Sequence, residues 1–172
     1  MAVGTPELGL ELFDGLDSWE RLFKIAYSLE DGLQTFYESM MEQASMDPVR
    51  RLFRKLAAIE SGHKRLLYQT YGKLAETPMA FTDGSISGIE GGFKAETYGQ
   101  MFTDAMDSEV AIISMAMAVE AQAHDLYMRL SGQIEEVDIQ TLVYQLADEE
   151  RQHLKLLGRL MDKIHSEEGG VP

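Results

Sequence analysis

The sequence contains no cysteine. That absence excludes disulfides, iron–sulfur clusters and cysteine-ligated zinc, and it gives no sign of an oxidising compartment. Proline is scarce, with 4 in 172 residues, and good helix formers (Leu, Ala, Glu, Met, Gln) dominate, so an all-α protein is expected. No apolar run approaches the roughly 20 residues that cross a bilayer. The opening residues, Met1-Ala2-Val3-Gly4-Thr5-Pro6-Glu7, lack the basic and apolar regions of a secretory signal. Basic residues are few against acidic ones, and the net charge of -14 repels nucleic acid and anionic membranes while attracting cations. A cytoplasmic, single-domain protein spanning residues 1–172 is the expectation.

Four long segments carry apolar residues at helical spacing. The first is expected over about 18–45, capped by Asp17 or Ser18, with the stripe Trp19, Phe23, Ala26, Glu30, Leu33, Tyr37, Met40, Ala44. The second, over about 48–76, follows Asp47 as cap and Pro48 at the first helical position, and Thr77-Pro78 ends it. Its stripe includes Leu52, Leu56, Glu60, His63 and Leu67. The third, about 108–131, starts near Asp107 or Ser108, stops at Gly132 and carries Ile113, Ala116, Glu120, Ala123 and Tyr127. The fourth, about 138–165, carries Leu146, Glu150, His153 and Leu157, with a frayed tail from Ser166. Short links make two antiparallel hairpins, and the stretch 77–106, Gly-rich and then helical near Ala95–Ala105, is long enough for one crossover between helices two and three.

The two hairpins are copies of one pattern. Ala26, Glu30 and Tyr37 match Ala116, Glu120 and Tyr127; Leu56-Ala57, Glu60 and His63 match Leu146-Ala147, Glu150 and His153, always 90 residues apart. Residues three apart on a helix lie on one face about 5–6 Å from each other, so each Glu-x-x-His can grip one ion. All these residues sit inside apolar stripes. A purely structural reading would bury four carboxylates without compensation, whereas isolated buried charges pair, bind metal or become neutral. Lys64, Arg65, Arg151 and Lys155 fall largely off the stripes. One Glu from each of two helices and Glu-x-x-His from each of two others is the di-metal carboxylate arrangement of helix bundles. Oxygen and nitrogen donors alone suit iron, manganese or zinc and disfavour copper(I).

With these motifs the sequence resembles the rubrerythrin branch of the ferritin-like superfamily, and its ligand set is similar to that of bacterioferritins. The resemblance spans Asp17 to His165 and rests on the paired Glu and Glu-x-x-His motifs with Tyr37 and Tyr127. It implies a ferritin-like antiparallel four-helix bundle with a di-iron centre that reacts with peroxide or dioxygen. It implies Glu60 and Glu150 as bridges between two metals, with Glu30 and His63, and Glu120 and His153, as terminal ligands. Three departures stand out. Without cysteine there is no rubredoxin-type module, so electrons must come from an external donor. Rubrerythrins carry an extra Glu one turn after the helix-three Glu, where this chain has Ala123, which bears on redox-driven ligand exchange. Bacterioferritins place a haem-ligating Met directly after the helix-two Glu; here it is Ser61, so haem is not expected.

Other residues stay open. His124 offers a hydrogen bond at the bundle edge, the weightier reading, or a contact to the metal site. Glu149 is an alternative to Glu150, which the repeat favours. Tyr37 and Tyr127 can bond carboxylates or a bound oxygen species, or simply pack. The 11 methionines, Met115 and Met117 among them, read as core filler, and His165 as solvated. Three functions compete: an oxidoreductase reducing hydrogen peroxide or dioxygen, the favoured one; an iron-storage protein with ferroxidase activity; and a bundle with structural metal. Size separates the first two, because storage requires a hollow shell and the enzyme is expected as a homodimer.

Overall fold

The computed structural model describes residues 19–80, 89–90, 93–94 and 108–168. Four helices carry the apolar stripes: α1 (Trp19–Gln43), α2 (Asp47–Ala75), α3 (Glu109–Ser131) and α4 (Val137–Glu168). α1 packs along α2 and α3 along α4, and α2 touches α4 to close the bundle. Three residues link the first hairpin and five the second, lengths that force antiparallel neighbours. The expected helix near Ala95–Ala105 and the caps Asp17 and Ser18 lie outside the described residues. Within the crossover a minimal ladder forms, β1 (Ile89–Glu90) antiparallel to β2 (Phe93–Lys94), with Ile89 opposite Lys94. Two-residue strands are too short to show alternation in the sequence.

The helix ends correct the sequence reading in three places. Asp47 is not the cap of α2; it lies in the first turn, and Met46 takes the extended cap position without a side-chain cap bond. The free amides there are satisfied from the other hairpin. Glu109 Oε1 accepts from Ser45 N (2.6 Å), Ser45 Oγ (2.7 Å) and Met46 N (2.6 Å), at the N-terminus of α3. Arg50 bonds the carbonyl of Ala44 from the other side of the same turn, at 2.7 Å. α2 stops at Ala75, before Thr77-Pro78, through Glu76 in the left-handed region (φ 55°), a conformation usually left to glycine. α4 runs on to Glu168 rather than fraying from Ser166. As the sequence suggests, Ser108 caps α3, its hydroxyl accepting from Ala111 N at 3.2 Å.

The buried core falls into two apolar clusters. One holds Phe36, Tyr37, Phe53, Leu56, Ile113 and Leu157; the other holds Phe23, Leu29, Leu67, Tyr127, Leu130 and Leu146. On α1, α2 and α4 the changeover between them falls at the level of Glu30, Glu60–His63 and Glu150–His153; on α3 it falls one turn past Glu120, between Ala123 and Leu126. The core is thus two apolar blocks with a polar layer between them.

Glu109 ties the start of α3 to the α1–α2 turn in the manner of a helix cap supplied from outside the helix. Replacing Glu109 by Ala is expected to cost about 1 kcal/mol, as loss of a capping side chain does. Glu109→Gln, which keeps an acceptor, is expected to cost less. Urea denaturation of the two variants beside the wild type measures both.

Candidate metal centre

Each helix delivers its polar residue to the same depth because the stripe that buries the helix contains it. Glu30 follows Leu29 on α1, Glu60 and His63 occupy one face of α2, Glu120 follows Val119 on α3, and Glu150 and His153 repeat the α2 spacing on α4. All four glutamates are 0% exposed, His63 is 7% and His153 1%. Glu149, the alternative to Glu150, is exposed.

The ligand atoms gather into two groups, each within 4.8 Å and each able to hold a metal ion. One is Glu30, Glu60, His63 and Glu150; the other is Glu60, Glu120, Glu150 and His153, so Glu60 and Glu150 belong to both. His63 Nδ1 lies 2.9 Å from both Glu30 Oε2 and Glu60 Oε2, and 3.8 Å from Glu150 Oε1. His153 Nδ1 lies 3.0 Å from Glu150 Oε2 and 3.2 Å from both Glu60 Oε1 and Glu120 Oε1. The two rings stack with centroids 5.9 Å apart.

A single N–H can donate to one carboxylate well, not to three. Accordingly both oxygens of Glu60, Oε1 of Glu150 and Nε2 of His153 are buried without a hydrogen-bond partner. Orphaned buried carboxylate oxygens are costly and rare. An ion bound at about 2.1 Å holds ligands on adjacent sides about 3 Å apart, close to the separations seen. The donor set therefore fits a divalent ion in each group.

The family model for rubrerythrin matches residues 22–98 and 111–171, which is most of the chain. The chain belongs to the rubrerythrin family. A solved structure of a hypothetical protein from Pyrococcus furiosus is similar over 90% of this chain and 93% of that one, with 22% identity and a TM-score of 0.62, and shares the fold. No curated protein matches.

In this chain two tyrosines cross between the hairpins. The Tyr37 hydroxyl on α1 donates to Glu120 Oε1 on α3, and the Tyr127 hydroxyl on α3 donates to Glu30 Oε1 on α1. Burial, with the charges of Glu120 and Glu60, pushes the Tyr37 phenol well above its usual value; burial and Glu30 do the same for Tyr127. Both phenols therefore keep their protons and remain donors. The repeat reveals the pairing of types, but not that each tyrosine serves the opposite hairpin.

Burial pushes the Glu60 carboxyl well above the carboxylate range; His63 opposes this, and the charges of Glu30 and Glu120 add to it. Glu150 is raised in the same way, by burial and then by Glu120 and Glu60. Burial also acts to raise Glu30, but the hydrogen bond and charge of His63 prevail and hold it below its usual value. Burial acts to lower His63, yet Glu30 and Glu60 bring it up to about 11. Without metal the layer thus balances its charge with protons.

His124 stands apart from both ligand groups, as a hydrogen-bonded histidine at the bundle edge: Nδ1 donates to the Ala147 carbonyl on α4 at 2.7 Å. Lys64 pairs with Asp31, and Arg151 with Asp148, outside the layer. Met115 is buried in the core, Met117 packs against it, and His165 is exposed.

Metal must displace the proton that His63 holds, and burial favours protons on Glu60 and Glu150 as well, so apparent metal affinity is expected to rise with pH between about 5 and 8. Calorimetric zinc titrations in buffers of different ionisation enthalpy measure the release. Affinity that stays flat over that range, with no proton release, contradicts the exchange.

Proposed function

We propose that this rubrerythrin-family chain is a di-iron oxidoreductase that reduces hydrogen peroxide or dioxygen with electrons from an external donor. The observation that carries the reading is the layer of four fully buried carboxylates whose oxygens, with two imidazole nitrogens, converge as two ligand groups sharing Glu60 and Glu150. In this reading Glu60 and Glu150 would be shared by two irons, Glu30 and His63 would complete one site, and Glu120 and His153 the other. Manganese or zinc fits the same donors. When bound, the metal pair supplies the electrons and the polarising charge for cleaving an O–O bond.

The chain's own residues do the rest. Glu120 and Glu30 are held in place by Tyr37 and Tyr127, so neither carboxylate can swing without losing a buried hydrogen bond. The two apolar clusters above and below exclude bulk water, which strengthens every charge interaction in the layer. The two phenols, whose protons are tightly held, act on the terminal carboxylates as hydrogen-bond donors. Ala123, buried where rubrerythrins carry an extra Glu, supplies no carboxylate that could change partners with redox state. Turnover is therefore assigned to a centre with fixed ligands. With no cysteine in the chain, electrons would come from an external donor, another protein or a small reductant. A homodimer in the cytoplasm completes the proposal; no helix among the described residues is long and apolar enough to cross a membrane.

Iron-loaded protein is expected to hold two ions per chain, and Glu60→Ala to lose both because it removes a shared ligand. Stopped-flow mixing of the reduced protein with peroxide and with dioxygen identifies the oxidant. Tyr37→Phe is expected to lower metal affinity or turnover by about 10–100-fold, the usual cost of losing a group that orients a ligand. A hollow multi-subunit shell taking up iron far beyond two per chain, seen by light scattering and metal analysis, replaces the enzyme reading with storage.

A further inference from the structure

The internal repeat allows the two sides of the layer to be compared position by position, and they are not equivalent. Beside Glu30 and His63, in the groove between α1 and α2, stand Tyr27, Asp31, Gln34 and Lys64. Their counterparts 90 residues on, on α3 and α4, are Met117, Ala121, His124 and Leu154. Asp31 and Lys64 bond across the first groove at 2.5 Å, and Lys64 Nζ also sits 5.7 Å from the centre of the Tyr27 ring. Asp31 is 58% exposed, so this bond lies at the surface, where an ion pair is weak and readily exchanged for water.

The second groove is closed differently. His124 binds the Ala147 carbonyl from α3 to α4, and Met117, Ala121 and Leu154 offer water nothing to bind. The equivalent carbonyl on the first side belongs to Ala57, but Gln34 turns along its own helix and donates to Glu38 at 2.7 Å. Its Oε1 is left buried without a partner, a group that favours a water molecule. The imidazoles follow suit: the His63 side chain is 8% exposed and that of His153 1%.

We propose that the α1–α2 groove is the route by which small hydrophilic species, metal ions included, reach the centre, so that the ion held by Glu30 and His63 exchanges before the ion held by Glu120 and His153. This rests on the two-metal reading above. The acid at the rim, Asp31, draws cations inward, while Lys64 holds the rim closed and opposes their approach. On the other side a hydrogen bond and apolar side chains seal the second ion in.

The test uses full-length protein loaded with zinc and transferred into isotopically labelled zinc. Two exchange phases of equal amplitude are expected. Lys64→Ala is expected to speed the fast phase several-fold and leave the slow one alone; His124→Ala is expected to speed the slow phase only. Independently of any variant, wild-type crystals exposed to cobalt for one fast-phase lifetime are expected to show cobalt anomalous scattering at Glu30 and His63. A single phase for both ions, an effect of Lys64→Ala confined to the slow phase, or cobalt at Glu120 and His153 overturns the proposal. Zinc bound at two per chain in any of those cases leaves the two-metal reading standing, whereas a chain that binds no zinc overturns both.

Discussion

Four carboxylates at the middle of an apolar core are the constraint on which the rest of the structure depends. A fully buried carboxylate costs several kcal/mol even after the protein relaxes around it, and like charges at this separation raise that cost. The fold meets it in layers. His63 and Glu30 form a buried ion pair, Glu60 and Glu150 are driven toward their neutral forms, and the two phenols donate to the outer carboxylates. Even so, the oxygens of Glu60 and one of Glu150 are left unpartnered. Protons and hydrogen bonds alone leave the layer partly satisfied, and a partly satisfied buried network is worse than an apolar one. An ion in each ligand group would resolve that conflict, and its binding would then add to the stability of the fold.

The same constraint explains why the layer sits where it does. The polar level divides the core into two apolar clusters, each drawing on all four helices. Each cluster buries enough large side chains to hold its end of the bundle together. Glutamates placed nearer an end would be reached by water and lose their convergence. Helices also deliver ligands with less play than loops, since each ligand is flanked along its stripe by buried residues such as Leu29, Leu33, Ala57 and Leu67.

Much of this was legible in the sequence, for a physical reason. Glu and His inside an apolar stripe contradict the cost of burial, and a contradiction repeated at a fixed offset of 90 residues marks a site. Helical periodicity located the four helices to within a few residues, because each stripe is long. What escaped were contacts between residues remote in the chain. Nothing near Met46 announces that its amide is satisfied by Glu109. Asp47 looked like a cap because capping is usually local, and here it is not. The crossed service of Tyr37 to Glu120 and Tyr127 to Glu30 depends on how the hairpins face each other, which no spacing within one hairpin encodes. The ladder of Ile89–Glu90 with Phe93–Lys94 is shorter than any period that a pattern can reveal.

Repetition supplies a symmetric set of ligands, but it does not oblige the surroundings to stay symmetric. Residues that touch the ions are held to one chemistry by the cost of failing to satisfy them; residues one step outward are free to differ. The difference between Asp31–Lys64 and Ala121–Leu154 lies at that outward step, as does the difference between Gln34 and His124. Under the proposed two-metal reading the centre faces opposed demands, since a sealed layer retains ions and excludes reactants while an open one does the reverse. In that reading the two sides would divide the demands: the four carboxylates are fully buried, and of the two imidazoles His63 is the more exposed.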